Sequence, residues 1–567
     1  MKRYIAILIM LCAMPFVASA EVTKQVEVTK KYTPEIGEAR KLDVAPNMVD
    51  TITIRPEIDY TITPNSFTSA LSTSKVRPAT VTYWEFDKRY PFYLKAGVGY
   101  PLATELDVYA STNRADVGYL SGYVNHRGRF SNIKDSYTLA GQTFEYDNSA
   151  QSMENRIGLN GGKYIGRYTL DGDIYYQSNQ YNRYAQPQVE AQQVPAVNYE
   201  NFAAAFKFGD SFSDMSKVNF SVYASADYYN DKSNQLLDDA KLQQAATAVG
   251  AIVGREVATR TLLTLSLGYN GYYGLKSLDS YSDNIISATA MVNFHTKKKL
   301  DVRAGLTYSY DNLKGAEGNR KNHIFPHLYL GANLFDNGAF VPYVEVDGEL
   351  VNNSFQQLQQ QNPYVILSAN VPNTYSYNFR IGFSGNVLKN RLSYRVYADA
   401  DIVRNALYWT IMQPAYFEAT VGKYTVWSIN AALEYKPLST LYFALKAKGM
   451  AYKEPAEWTV ENHRPAFEGE FNARYTHRKF AVGAVARLVG KTNWSVLESP
   501  ATSETEAVYQ SVNYPAYVDL SLVFDWFVGK RCTLYVEGRN LANAKIYHWA
   551  LYKEYGIGAL AGVKVQF

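Results

Sequence analysis

Ala559-Leu560-Ala561-Gly562-Val563-Lys564-Val565-Gln566-Phe567 puts an apolar residue at every odd-numbered position, with Lys564 and Gln566 between them. Successive side chains of a strand point to opposite faces, so the alternation sorts Ala559, Ala561, Val563, Val565 and Phe567 onto one face. In a barrel wall that face meets lipid and the other meets the lumen. The stretch reads as the last strand of an all-β fold, a transmembrane antiparallel β-barrel of the outer-membrane type.

The pattern recurs upstream. In Val518-Asp519-Leu520-Ser521-Leu522-Val523-Phe524-Asp525-Trp526 the lipid face carries Val518, Leu520, Leu522, Phe524 and Trp526, and the lumen face carries Asp519, Ser521 and Asp525. Leu392 to Asp401 turns Arg395, Asp399 and Asp401 inward, Leu441 to Lys448 turns Lys446 and Lys448 inward, and Phe467 to Tyr475 turns Glu468, Glu470 and Arg474 inward. A lumen lined by charges of both signs is therefore expected. On this register Phe524→Arg should cost about 2–4 kcal/mol near the bilayer midplane, whereas Asp525→Arg should be tolerated.

Composition separates this reading from a soluble β-sandwich, which also alternates. Aromatic residues make up 14% of the chain and 49 residues are tyrosines, a ring type that favours the two interfacial girdles of a tall barrel. No stretch approaches the roughly 18–20 apolar residues of a spanning helix. The formal charge of +4, from 57 basic and 53 acidic residues, leaves no basic footprint for nucleic acid.

At the other end Lys2 and Arg3 precede an apolar run from Ile5 to Val17, and Ala18-Ser19-Ala20 offers a small-x-small cleavage site. Residues 1–20 are thus expected to be a signal peptide. Acylation at Cys12 would need a small residue where Leu11 stands. With Cys12 removed, Cys532 has no intrachain partner, so stability must come from barrel closure. At the C-terminus, Val563, Val565 and Phe567 resemble the terminal signal read by the barrel insertion machinery.

The connections alternate between short and long. Tight turns are expected at Val528 to Arg531, Thr476 to Lys479, Lys436 to Ser439, Val387 to Asn390 and Thr296 to Lys299, on the periplasmic side. Longer polar loops, expected outside, fall near Gln177 to Asn198, Tyr229 to Gln243, Asn352 to Thr374, Arg404 to Lys423, Tyr452 to Pro465, Lys491 to Tyr514 and Leu541 to Tyr555. At about ten residues per strand plus loops, residues 90–567 hold roughly 20 to 22 strands, the first over Tyr90 to Tyr100. Between Ala103 and Tyr164 the alternation does not assign sides.

Val536-Glu537-Gly538-Arg539-Asn540-Leu541-Ala542-Asn543-Ala544-Lys545-Ile546-Tyr547, followed by a last strand ending in Phe567, resembles the final hairpin of TonB-dependent receptors, in which a strand ends G-x-N-L-x-N. The motif covers about thirty residues; the remaining barrel is similar in rhythm only. Read from the residues, Gly538 lets the strand bend at the rim, and Asn540 and Asn543 bond the backbone as it leaves the wall. The resemblance implies an outer-membrane transporter. That family carries a plug domain of well over a hundred residues, whereas Glu21 to Arg89 here contains Pro34, Pro46, Pro56, Pro64 and Pro78 among dispersed apolar residues, and is expected to be an extended tether, partner-binding arm or lumen strip. Within it Val26-Glu27-Val28-Thr29 faintly resembles the stretch such receptors offer to the periplasmic energy-coupling protein.

No catalytic constellation emerges. Gly209-Asp210-Ser211 and Gly382-Phe383-Ser384-Gly385-Asn386 lack a nucleophile elbow and its strand-to-helix junction, and Gly161-Gly162-Lys163 reads as a hairpin turn. His323 and His327 share a strand face but need a third ligand to hold a metal. No cofactor is expected.

Three functional readings follow: a transport barrel, a docking or assembly subunit, and, least supported, a barrel enzyme. A lumen of about 20 strands leaks unless something fills it. The candidates are the N-terminal segment, folded-in loops, or a partner such as a surface lipoprotein or another outer-membrane complex subunit. Trp409, Ile411 and Met412 either form an exposed partner-binding loop or pack inside the barrel mouth.

Overall fold

The structure, a computed structural model, describes residues 90–567 apart from 115–116, 140, 187–195, 234–241, 296–298, 316–318, 336–337, 367–370, 414–415 and 500–506. The expectations for the signal peptide, for residues 21–89 with Val26 to Thr29, and for the turn at 296–298 lie outside the described residues.

Twenty-two antiparallel strands close into a barrel, each paired with its neighbours in the chain. Closure joins Phe92–Tyr100 to Gly558–Gln566, with Tyr93 opposite Gln566 and Tyr100 opposite Ala559. Beyond that ladder Phe92 and Phe567 exchange both backbone hydrogen bonds, at 3.0 and 3.1 Å. Closing the ladder leaves no wall strand with an open edge, the requirement for crossing lipid with strands. The first strand begins at Phe92, two residues later than expected.

The outer face is apolar and uncovered by protein: Val518, Leu522, Phe524 and Trp526 are exposed, as are Leu265, Leu267, Trp427 and Ile429 on other strands. Among the described residues no helix is long and apolar enough to cross a membrane. The connections Phe527 to Cys532, Val387 to Leu392 and Leu438 to Leu441 are short and share an end with Phe92 and Phe567. That end is periplasmic in this architecture, and the end with long connections is extracellular.

Several segments expected to be loops are regular. Leu392–Gln413 and Tyr416–Leu438 are strands of 22 and 23 residues. Both far exceed the roughly 9–11 residues that cross a bilayer, so their paired ends stand beyond the wall and Arg404 to Lys423 is a hairpin rather than a loop. Lys491 to Tyr514 holds a second hairpin, Thr492–Ser499 with Val508–Tyr514, which joins the first through the parallel pair Ile411 and Val496. Asn132–Leu139 pairs with Gln142–Ser149 as a third, and Phe355–Gln361 is a helix. Gly161 and Gly162 lie inside the strand Ser152–Ile165, not in a turn. A Cβ on Gly162 would come within 2.5 Å of the Tyr119 ring and of Asp171, so glycine there makes room for lumen-facing side chains.

Candidate functional site: the capped lumen

The lumen face is a cross-strand network of charges. At the closure seam Lys95 meets Glu105 at 2.6 Å, Arg127 reaches Glu105 at 3.1 Å and Asp107 at 2.9 Å, and Lys564 meets Asp525 at 2.6 Å. The Tyr535 ring lies over Gly97 and Gly562, where a Cβ would sit 2.2 Å from its hydroxyl and 2.7 Å from its ring respectively. Lys95 and Lys564 stand 5.1 and 5.0 Å from the ring centroid. The glycine pair Gly97 and Gly562, facing the Tyr535 ring, thus lets Lys95 and Lys564 stand beside it with Glu105 and Asp525 as their partners.

Further round, Lys446 faces Glu470 at 3.7 Å, and Arg487 reaches the same carboxylate at 3.3 Å. Lys448 stands opposite Glu468, Arg474 opposite Tyr442, and Arg395 opposite Ser384. Asp399 is buried and accepts from Ser428 and, at 2.7 Å, from the Asn430 amide. Asp519 stands opposite Arg487 and Ser521 opposite Val485. Asp525 carries a correction: because Lys564 is its partner, Asp525→Arg would set two like charges together and leave Lys564 unpaired, so tolerance is not expected there.

The extracellular mouth is covered by the chain's own connections. Ile133 and Tyr146 of the hairpin Asn132–Leu139 with Gln142–Ser149, Phe355 and Leu358 of the helix, Leu407, Trp409 and Ile411 of the long hairpin, and Tyr184, Leu242, Tyr281, Trp494, Val496, Leu551 and Tyr552 all belong to one buried cluster. Tyr364 stacks on Tyr552 at 3.6 Å, and Phe417, Trp494 and Trp549 meet pairwise at 5.7–5.9 Å. Segments more than 400 residues apart are tied here, as in the Tyr146 hydroxyl donating to the Leu551 carbonyl at 2.8 Å.

The reading of Trp409, Ile411 and Met412 as an exposed loop is therefore replaced. Trp409 is 5% exposed, Ile411 is fully buried and Met412 is half-buried. The opposite face of the same strand packs too: Ala406 and Tyr408 join Val403 and Val460, with Trp458 alongside. His463 lies between Trp494 and Tyr408, at 4.9 and 6.5 Å between ring centroids. Burial, with the Arg464 guanidinium beside it, holds the imidazole well below its usual range.

Sequence reasoning missed the polar anchor beneath this cap. Asn352 and Asn373, at the two ends of the connection that carries the helix, donate to the buried Asp283 carboxylate at 2.6 and 2.8 Å, and Asn373 also donates to Asp311 at 3.0 Å. Asn405, at φ +52°, donates to the Asn373 carbonyl at 2.9 Å where the long hairpin leaves the wall. The asparagines and the carboxylates they bond lie 62 to 90 residues apart, and only the asparagines at 352, 353 and 373 hint at it. At the final hairpin Asn540, at φ +46°, bonds both ways with Ala544 at 2.9 Å, tying the backbone where it leaves the wall. His323 and His327 are committed to other groups: His323 to the Arg320 carbonyl at 2.7 Å, His327 to Asp347 at 2.5 Å and Thr307 at 2.7 Å.

A closed 22-strand barrel with an apolar outer face and a charged lumen defines the class: a large outer-membrane β-barrel. No protein-family model and no curated protein matches the chain. Among solved structures it is similar to the siderophore receptor PirA from Acinetobacter baumannii, with TM-score 0.65 and 12% identity over 84% of this chain and 80% of that one. It is also similar to the ferripyoverdine receptor of the outer membrane of Pseudomonas aeruginosa, with TM-score 0.62 and 10% identity over 85% and 72%. The FrpB iron transporter from Neisseria meningitidis gives TM-score 0.63 and 12% identity over 85% and 82%. The fold is that of the barrel part of TonB-dependent receptors.

Proposed function

We propose that this protein acts in transport across the outer membrane, as a barrel resembling TonB-dependent receptors whose extracellular mouth is shut by its own loops. The observation that carries the reading is the pairing of a wide, charge-lined lumen with a folded cap. A lumen of this width passes small solutes freely if left open, so a cap with a continuous aromatic core supplies closure, and its opening admits solute. The similar structures are a siderophore receptor, a ferripyoverdine receptor and an iron transporter, which supports transport over catalysis. Residues 21–89 are proposed as a periplasmic tether or partner-binding arm in place of a folded plug, on the strength of their proline-broken composition.

The cap also favours a second reading. A mouth sealed by a buried cluster suits a closed docking body for a surface lipoprotein or another outer-membrane subunit. An affinity pull-down of the tagged chain from gently solubilised outer membrane separates the two: a stoichiometric protein partner supports the docking body, and a solitary barrel supports transport. Solute-dependent uptake in cells, lost when the chain is deleted, is the expected result for the transport reading, and unchanged uptake of every solute tried would overturn it.

A further inference from the structure

On one side of the periplasmic end, four neighbouring hairpins turn through basic residues, with no acid in the connections. Thr374–Val387 passes to Leu392–Gln413 through Lys389 and Arg391, Phe467–Thr476 to Phe480–Val489 through Arg478 and Lys479, and Tyr517–Phe527 to Cys532–Arg539 through Lys530 and Arg531. At the remaining hairpin Lys436 lies over the Tyr442 ring, 5.2 Å from its centroid, with Glu434 close to the same ring. The wall pairs these hairpins edge to edge, so their turns form one arc.

The other six cations are all exposed, and among the described residues none of them is in an ion pair. Elsewhere at this end cations are met by the chain's own carboxylates, Arg167 by Asp210 and Lys217 by Asp214 at 3.2 Å. The arc therefore presents uncompensated positive charge to whatever adjoins it.

Depth decides what adjoins it. Leu388 immediately precedes Lys389, Tyr475 stands three residues before Arg478, and Val528, which continues the lipid face of Phe524 and Trp526, stands two before Lys530; all three are exposed. At about 3.3 Å per residue, the cations lie within about 10 Å of apolar side chains on the outer wall, where long basic side chains reach the headgroup layer. A soluble acidic protein would have to push through headgroups to meet such short turns, whereas a lipid phosphate already lies at their depth. A zwitterionic headgroup brings an ammonium that these cations repel. An anionic headgroup brings its phosphate alone, which a guanidinium can take with two hydrogen bonds. We propose that this arc docks the headgroups of anionic phospholipids in the periplasmic leaflet, giving the barrel one lipid-binding side. The inference is independent of the transport and docking-body readings.

The test refolds the full chain into vesicles of dimyristoylphosphatidylcholine and compares, by electron spin resonance, the association of spin-labelled phosphatidylglycerol with that of spin-labelled phosphatidylcholine. The expected result is a preference for phosphatidylglycerol of about twofold or more at low salt, abolished at about 1 M salt, where screening is nearly complete. Arg478→Gln with Lys479→Gln, and Lys530→Gln with Arg531→Gln, should each reduce the preference, and the four substitutions together should bring it close to parity. Lys217→Gln with Arg255→Gln removes as many charges from exposed positions outside the arc and should leave the preference unchanged. Heat-modifiable migration on gels checks that each variant is folded. Parity in the parent protein, a preference that survives high salt, or equal losses from the arc and control pairs would overturn the assignment. Parity together with salt-sensitive binding of an acidic periplasmic protein to the same hairpins would also overturn it, making the arc a protein site.

Discussion

Phe524 and Asp525 are adjacent in sequence and opposite in environment: the first exposed on the outer wall, the second buried against Lys564. Phe524→Arg should lower stability in lipid by about 2–4 kcal/mol and reduce folded yield, read by the shift in urea midpoint on refolding into vesicles. Ser521→Arg, on the lumen face between Asp519 and Asp525, should leave the midpoint unchanged; equal effects at 521 and 524 would mean that the register is wrong. His463 gives the molecule a pH dependence. Its folded-state pKa is depressed, so the closed cap stays neutral there while an opened cap takes up a proton. Closure is therefore unaffected above about pH 6.5 and weakens as pH falls below it. Tryptophan fluorescence of the cap should change over that range, and His463→Gln should flatten the change. The two-residue period proposes an inward face for Asp399, Lys446 and Glu470 because alternation needs no knowledge of partners. The ion-pair partner of Asp525 cannot be read this way, because Lys564 lies 39 residues away and only the register brings them together.

At the scale of elements, the long hairpin Leu392–Gln413 and Tyr416–Leu438 shows why alternation does not reveal the cap. Leu407, Trp409 and Ile411 enter one buried cluster while Ala406 and Tyr408 enter another, so both faces are apolar and the alternation that marks a lipid-facing strand disappears. The same holds for Phe355 to Gln361, where seven residues are too few to display a helical period against a background of glutamines. Trp409→Ala removes a ring from the centre of the cluster and should cost the cap about 3–5 kcal/mol. Limited proteolysis of whole cells should then cut the extracellular connections that resist it in the parent protein. Asn373→Ala removes donors to two buried carboxylates at once and should expose the same sites; protection equal to the parent's would mean that the rim anchor does not hold the cap.

At the scale of the whole molecule, the wall follows from period, turn spacing and aromatic content, which is why a count of roughly 20 to 22 strands met a barrel of 22. The closure of the mouth does not follow from these, because it depends on contacts between connections hundreds of residues apart, such as Tyr146 with Leu551. The central claim is that this cap, and not the wall, decides whether the lumen is open. Conductance in planar bilayers measures it most directly, comparing the full chain with a variant in which residues 405–423 are replaced by a short Gly-Ser turn. The account predicts no steady conductance from the full chain and large, stable channels from the shortened hairpin. Steady channels from the intact protein, or silence from the shortened one, would contradict it.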